Sequence, residues 1–270
     1  MGNVGVASSY DGNALYYNPA GLAGVDSMLI SIPGIMEYTS DGQQFLSKLT
    51  TLGSSSAQDI LNDIKGKQIH VKGSAGIKLV VPFGFMAFGG AYGKEITYDM
   101  TGSDSAISVS SRDDTVKSIG FGISLDKGRW LVGASRDEYT RCDLDDNATA
   151  SEIAGGKTIT EALGSCSKGT GATYNIGFQR RMTTFPGLRM ITALSVRNFG
   201  GLKFVSDNGS YPVERKPEYD LGISFMPFDG FFFRNIIEIN IKDITSQNPD
   251  DTYCFTNKNT SGCSAKKLHF

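Results

Sequence analysis

Lys117-Ser118-Ile119-Gly120-Phe121-Gly122-Ile123-Ser124-Leu125 sets Ile119, Phe121, Ile123 and Leu125 at every second position, with Ser118, Gly120, Gly122 and Ser124 between them. A period of two is the mark of a strand whose two faces meet different surroundings. The alternation recurs along the chain. In 174–181, Tyr174, Ile176 and Phe178 oppose Asn175, Gly177, Gln179 and Arg181. Tyr219-Asp220-Leu221-Gly222-Ile223-Ser224-Phe225 repeats it, and in 234–244 Ile237, Ile239 and Ile241 oppose Glu238, Asn240 and Lys242. Working outward, the pattern predicts strands near 27–38, 71–82, 85–98, 116–125, 129–140, 172–182, 188–198, 217–227 and 231–244, with a short tenth from 265. The fold class is all-β.

The connections alternate in length. Pro82-Phe83-Gly84, Asp126-Lys127-Gly128, Phe185-Pro186-Gly187 and Pro227-Phe228-Asp229-Gly230 have the chemistry of tight turns. Long polar segments occupy 39–70, 99–115, 141–171, 199–216 and 245–264. Short turns at one end and long loops at the other are the pattern of a transmembrane antiparallel β-barrel. A soluble sandwich would bury the apolar face, whereas a barrel turns it to lipid and lines its lumen with the polar one. Strands of about 10 to 14 residues exceed the usual length of about 5 to 6. Tyr38, Tyr98, Trp130, Tyr139, Tyr174, Tyr219, Phe228 and Phe231 fall near strand ends, as an interfacial girdle requires. The barrel assignment makes Lys72, Lys78, Asn175, Gln179, Arg181, Glu238, Asn240 and Lys242 lumen-facing; a secreted soluble sandwich is the alternative. One stretch breaks the pattern. Residues 43–69 carry apolar residues at helical spacing and predict a helical insertion, divided at Gly53-Ser54-Ser55-Ser56.

Composition narrows the function classes. The chain has 270 residues, 20% of them charged, and a net charge of −2, which gives no electrostatic case for nucleic acid. No run of about 18 apolar residues is present to form a transmembrane helix, a test that barrel strands escape. Cys142 and Cys166 bracket one polar stretch, and Cys254 and Cys263 another. Four cysteines allow three connectivities; pairing between neighbours would staple two loops and suits an oxidising compartment. No Cys-x-x-Cys occurs, and His70 and His269 are not aligned with the cysteines, so neither a metal site nor a cofactor is expected. With no nucleophile motif and two histidines, the chain does not read as an enzyme.

Before the first strand stands Gly2-Asn3-Val4-Gly5-Val6-Ala7-Ser8-Ser9-Tyr10-Asp11-Gly12-Asn13-Ala14-Leu15-Tyr16-Tyr17-Asn18-Pro19-Ala20-Gly21-Leu22-Ala23. Asn18-Pro19 imposes an extended or turn conformation. In residue type and spacing this stretch resembles the N-terminal plug of FadL-type outer-membrane transport proteins and their PorV-like and TraF-like relatives. The resemblance implies a plug over 1–24, with Asn18, Pro19, Ala20 and Gly21 as its turn, and an outer-membrane barrel over 25–270. It implies passive uptake of hydrophobic compounds such as long-chain fatty acids, with outer-membrane lipids and an apolar small molecule as partners. A PorV-like or TraF-like role in a secretion or conjugation system, with a protein partner, is the alternative. FadL-type barrels have fourteen strands, so ten imply a chain cut short of its last strands; the start, without a signal peptide, reads as a mature or trimmed end.

Overall fold

The computed structural model describes residues 5–49, 65–103, 106–149, 166–185, 188–206, 214–229, 234–244 and 268–269. The chain opens with a one-turn helix α1 (Ala14–Tyr17) and a 3₁₀ segment (Pro19–Gly24), then β1 (Leu29–Ser31), β2 (Gly34–Tyr38) and α2 (Ser40–Leu49). Long strands follow: β3 (Gln68–Phe83), β4 (Met86–Gly102), β5 (Ala106–Leu125), β6 (Trp130–Thr149), β7 (Ser167–Phe185) and β8 (Leu188–Phe199). The last elements are β9 (Leu202–Lys203), β10 (Val205–Ser206), β11 (Glu214–Arg215), β12 (Glu218–Asp229), β13 (Arg234–Ile241) and β14 (Leu268–His269). Twelve of these strands form one antiparallel sheet running β1-β3-β4-β5-β6-β7-β8-β12-β13-β14, with β2 also on β3 and β10 also on β7; β9 and β11 pair separately. Among the described residues, no ladder joins β1 or β2 to β14, so the sheet is not closed.

Register carries the sequence alternation across the sheet. Val81, Phe88, Phe121, Ala134, Ile176, Val196 and Tyr219 form one transverse row, each opposite the next. Gly122, Gly133 and Gly177 form another on the opposite face. The first face is exposed: Phe88, Ile119, Phe121, Ile176, Leu221, Ile223, Ile237 and Ile239 all lie open. The second is buried and polar, with Ser118, Ser135, Asp137, Thr173, Asn175, Gln179, Ser195, Asp220, Ser224 and Asn240 almost wholly covered. The polarity of an ordinary water-soluble sheet is inverted.

Residues 5–24 lie on the polar face, hereafter the inner face. They touch Lys78 of β3, Gly89 of β4, Gly120 of β5, Ser135 of β6, Gln179 of β7, Leu194 of β8, Gly222 of β12 and Glu238 of β13. Laid flat, eight neighbouring strands would span roughly 34 Å at the usual spacing of about 4.8 Å. The segment is folded on itself, with Asn18 Nδ2 donating to Val6 O at 2.9 Å. The sheet must therefore curl around it.

Several sequence expectations are corrected. The strand expected at 27–38 is broken at Ile32–Pro33, because Pro33 has no N–H to give and only its carbonyl is used, accepting from Gly76 N at 3.1 Å. Two segments expected to be long loops contain strand: β4 and β5 pair out to Gly102 and Ile107, and β5 and β6 to Ala106 and Thr149. Pro227, Phe228 and Asp229 belong to β12, and the register shift between Phe225 and Phe228 accommodates the proline. The turn expected at 82–84 is centred instead on Gly84 and Phe85, since Phe83 still pairs with Met86. The helical insertion expected at 43–69 begins at Ser40, and Gln68 and Ile69 are already strand; residues 50–64 lie outside the described residues. Tyr139, expected in an outer girdle, is on the inner face, where its ring meets Phe204.

Candidate functional site

The site is the contact between residues 5–24 and the inner face, and Asn18 is its centre. Its backbone is extended (φ −163°, ψ 101°), the shape that a following proline imposes. From there the side chain both donates and accepts. Nδ2 donates to Val6 O at 2.9 Å, to Phe178 O at 3.3 Å and to Leu194 O at 3.4 Å. Oδ1 accepts from Ala20 N at 3.1 Å and so caps the 3₁₀ segment that Pro19 starts. Gly21 N donates back to Asn18 O at 2.9 Å. Asn18, Pro19, Ala20 and Gly21 are all buried, and the Asn18 amide pins the turn to carbonyls of β7 and β8.

The sheet makes room for this turn with glycine. A Cβ at Gly177 would overlap Asn18 Oδ1, and one at Gly133 would overlap the backbone of Pro19. These two glycines are paired across β6 and β7, so the turn lies in a side-chain-free trough. Apolar contacts flank the trough. Ala14, Leu15 and Leu22 pack with Val80 and Ala87, and Val6 and Ala7 pack with Ile191 and Ala193.

The expected polar-face residues divide by role. Gln179 Nε2 donates to Val6 O at 3.2 Å, and Lys78 Nζ donates to Asn13 Oδ1. Arg181 stacks over Tyr10 at 4.8 Å and Lys242 over Tyr17 at 5.1 Å. Glu238 accepts from Ala7 N at 2.8 Å and from Ser8 Oγ. Asn240 is buried on β13, directly opposite Gly222. Asn175 donates to Ser135 Oγ at 3.0 Å and Asp137 Oδ2 at 2.7 Å, one layer from the segment. Lys72 stands apart, paired with Glu95 at 3.2 Å. Burial raises the Tyr16 and Tyr17 hydroxyls above their ordinary value, so both are neutral donors at neutral pH.

A layer of charge beside the segment did not stand out in the sequence. Arg197 reaches Glu218 at 2.5 Å and Asp220 at 2.7 Å, and Asp220 Oδ1 accepts from Asp243 N at 2.8 Å. Arg141 grips Asp114 through two bonds of 2.7 and 2.6 Å. Such residues look like solvated charge in sequence because their partners lie on neighbouring strands. The glycines were more legible: alternation already put Gly120, Gly122, Gly177 and Gly222 on the polar face.

On the outer face the apolar part of each strand is short. In β5 it runs from Ile119 to Leu125, about 20 Å, although the strand has 20 residues and is about 65 Å long. Its limits carry charge and aromatic rings. Arg180 lies 4.6 Å over Trp130 at the short-turn end, while Lys94–Asp113 and Arg136–Glu138 (each 2.9 Å) mark the other. Beyond that limit, Cys142 and Cys166 are joined by a disulfide, with Cα atoms 5.5 Å apart, at the point where β6 and β7 cease to pair. This is the neighbour pairing for one of the two cysteine pairs; Cys254 and Cys263 lie outside the described residues. Among the described residues, no helix is long and apolar enough to cross a membrane, and no group of three His, Cys, Asp or Glu residues could hold a metal.

No family model and no curated protein matches the chain.

Proposed function

We propose that the chain is an outer-membrane β-barrel protein whose lumen is plugged by its N-terminal segment, and that it conducts small hydrophobic molecules when that segment shifts. The observation that carries this is the inverted polarity of the sheet. Continuous apolar rows face outward, while polar side chains are buried beneath residues 5–24. In water such an exposed surface would far exceed the few hundred Å² a soluble monomer tolerates. In a bilayer it is the kind of surface that barrels present to lipid. The segment is held by hydrogen bonds, cation–π contacts and a glycine-lined fit as well as by its buried Val6, Leu15 and Leu22, a seat of many small contacts that can be left and regained.

A second reading, an outer-membrane scaffold for a secretion or conjugation partner, draws support from two features. The inner face carries Arg197, Glu218, Asp220 and Asp137, a poor lining for apolar cargo. The hairpins β3–β4 and β5–β6 also run well past the apolar rows and carry ion pairs there.

The deciding experiment is uptake of a labelled long-chain fatty acid by vesicles containing the purified protein. Uptake above protein-free vesicles, altered by substitutions at Asn18, is the expected result. Detergent-independent solubility with migration unaffected by heating would overturn the barrel. A detergent-dependent, heat-modifiable protein that passes no apolar probe but co-purifies with a surface protein would establish the scaffold instead.

A further inference from the structure

At the end of β8 the chain leaves the β7 edge after Phe199, opposite Tyr174, and rejoins it in the same direction at Val205, opposite Thr170. Asn198 (φ 54°), Gly200 (φ 85°) and Gly201 (φ 79°) all lie in the left-handed region, and Gly201 N donates to Asn198 O at 2.7 Å. For Asn198 that conformation is uncommon. It is held from the inner face, where Asn198 N donates to Asn175 Oδ1 at 3.1 Å and Nδ2 to Glu218 Oε1 at 3.5 Å. This excursion puts Leu202 and Phe204 over the inner face. Val205 and Ser206 then pair with Thr170 and Gly169 of β7, and Leu202 and Lys203 pair with Arg215 and Glu214 of β11.

Two apolar side chains seat this strap. Leu202 is 1% exposed and Phe204 4%. Their seats on β7 are glycines: a Cβ at Gly171 would come within 2.8 Å of Leu202 Cδ1, and one at Gly169 within 3.4 Å of Phe204 Cβ. The Phe204 ring meets Tyr139 edge-on at 6.3 Å and lies 4.6 Å beneath the Arg141 guanidinium, which Asp114 holds in place. Residues 5–24 use the same device at the other end of β7, at Gly177. Thr173, Asn175 and the Arg197–Glu218–Asp220 group lie between the two.

We propose that residues 200–206 are a second gate, closing the inner compartment from the side opposite the N-terminal segment and opening independently of it. This rests on the membrane-conduit reading but adds a closure which that reading does not require. The strap is suited to the task. Two residue pairs to β7 and two apolar side chains make a contact small enough to open locally while the long ladders stay intact. The left-handed turn at 198–201 gives it a hinge.

Thiol accessibility tests this directly in the full-length protein. Thr173 is buried on the inner face between strap and segment, so Thr173→Cys is the probe, with a membrane-impermeant maleimide and the label located by mass spectrometry. In the otherwise native chain, residue 173 is expected to stay unlabelled. Adding Leu202→Ala and Phe204→Ala should bring labelling near completion while heat-modifiable migration persists. Equal labelling in both backgrounds would overturn the gate. As a second variant that keeps the seats, Val205→Cys with Thr170→Cys joins directly opposed residues. Its oxidised form should lose fatty-acid uptake and regain it on reduction, with Val205→Cys alone unaffected by either treatment. Undiminished uptake with the cross-link formed would also overturn the gate. If wild-type vesicles take up nothing while labelling of residue 173 still depends on Leu202 and Phe204, the conduit reading fails and the strap stands as a cover.

Discussion

At the scale of the residue, Asn18 matters because its amide supplies donor and acceptor at once. Nδ2 shares two protons among the three carbonyls it faces and Oδ1 faces an N–H, so no other side chain of similar size offers both. Asn18→Ala removes those bonds and leaves the buried Ala20 N–H without its acceptor, at a cost of about 1–3 kcal/mol to docking of the segment. Asn18→Asp should be worse, since it turns a carboxylate toward Val6 O, Phe178 O and Leu194 O. Limited proteolysis within residues 5–24 checks both: cleavage should rise in the order native, Ala, Asp, while the sheet keeps its heat-modifiable migration. Gly177→Ala should give the same phenotype from the other partner, because its Cβ would overlap Asn18 Oδ1. Tyr16 and Tyr17 add a pH dependence. Burial raises both hydroxyls above 10.0, so the docked segment holds their protons more tightly than the free one. Their contribution is complete below about pH 10 and is lost as pH rises through the raised values. Protease sensitivity of the segment should therefore rise only in alkali, and Phe at both positions should remove that rise.

At the scale of the element, strand length and apolar length are different quantities. Alternation in the sequence marks the apolar stretch of each strand, and there the expected strands agree closely with those observed. It stops at Lys117 in β5 and Arg136 in β6, and beyond those points Thr, Ser and Asp read as loop. Backbone pairing needs no apolar side chain, however. Cross-strand ions such as Lys94–Asp113 and Lys72–Glu95 replace apolar pairing, and β5 and β6 continue to Ala106 and Thr149. The disulfide acts within this extension. Replacing Cys142 and Cys166 by Ser should loosen β6 from β7 near Asp143 and Ser167, at a cost of up to about 3 kcal/mol. Hydrogen exchange should accelerate there and leave Trp130–Ala134 unchanged. On the outer face, Ile239→Arg should cost about 2–4 kcal/mol if the residue sits at the bilayer midplane. Folding titrations into lipid vesicles measure it, and a neutral result would mean that the apolar face does not meet lipid.

At the scale of the whole molecule, one short segment organises eight strands. A chain lacking residues 1–24 exposes Gln179, Glu238, Lys242 and the glycine trough, with Val80 and Ile191 the only large buried apolar side chains of the sheet, among the described residues, in its two apolar clusters with the segment, so the sheet should still assemble in detergent. The expected outcome is retained heat-modifiable migration with a lowered melting temperature, restored by adding the segment as a peptide. Failure to assemble would make the segment part of the folding core rather than a docked element. The sequence by itself determined the apolar stretches of the strands, their two faces and the Asn18–Gly21 turn, because period-two alternation and an Asn-Pro pair are local properties of the chain. It could not decide which face is inside, since alternation is the same for a sheet turned either way. Nor could it reveal the Arg197–Glu218–Asp220 group, the Gly133–Gly177 trough or the seats of Leu202 and Phe204. Each exists only when residues far apart in the chain are brought into register. Register, and the curling of the sheet around residues 5–24, turned an alternating sequence into an inner face with a segment docked on it.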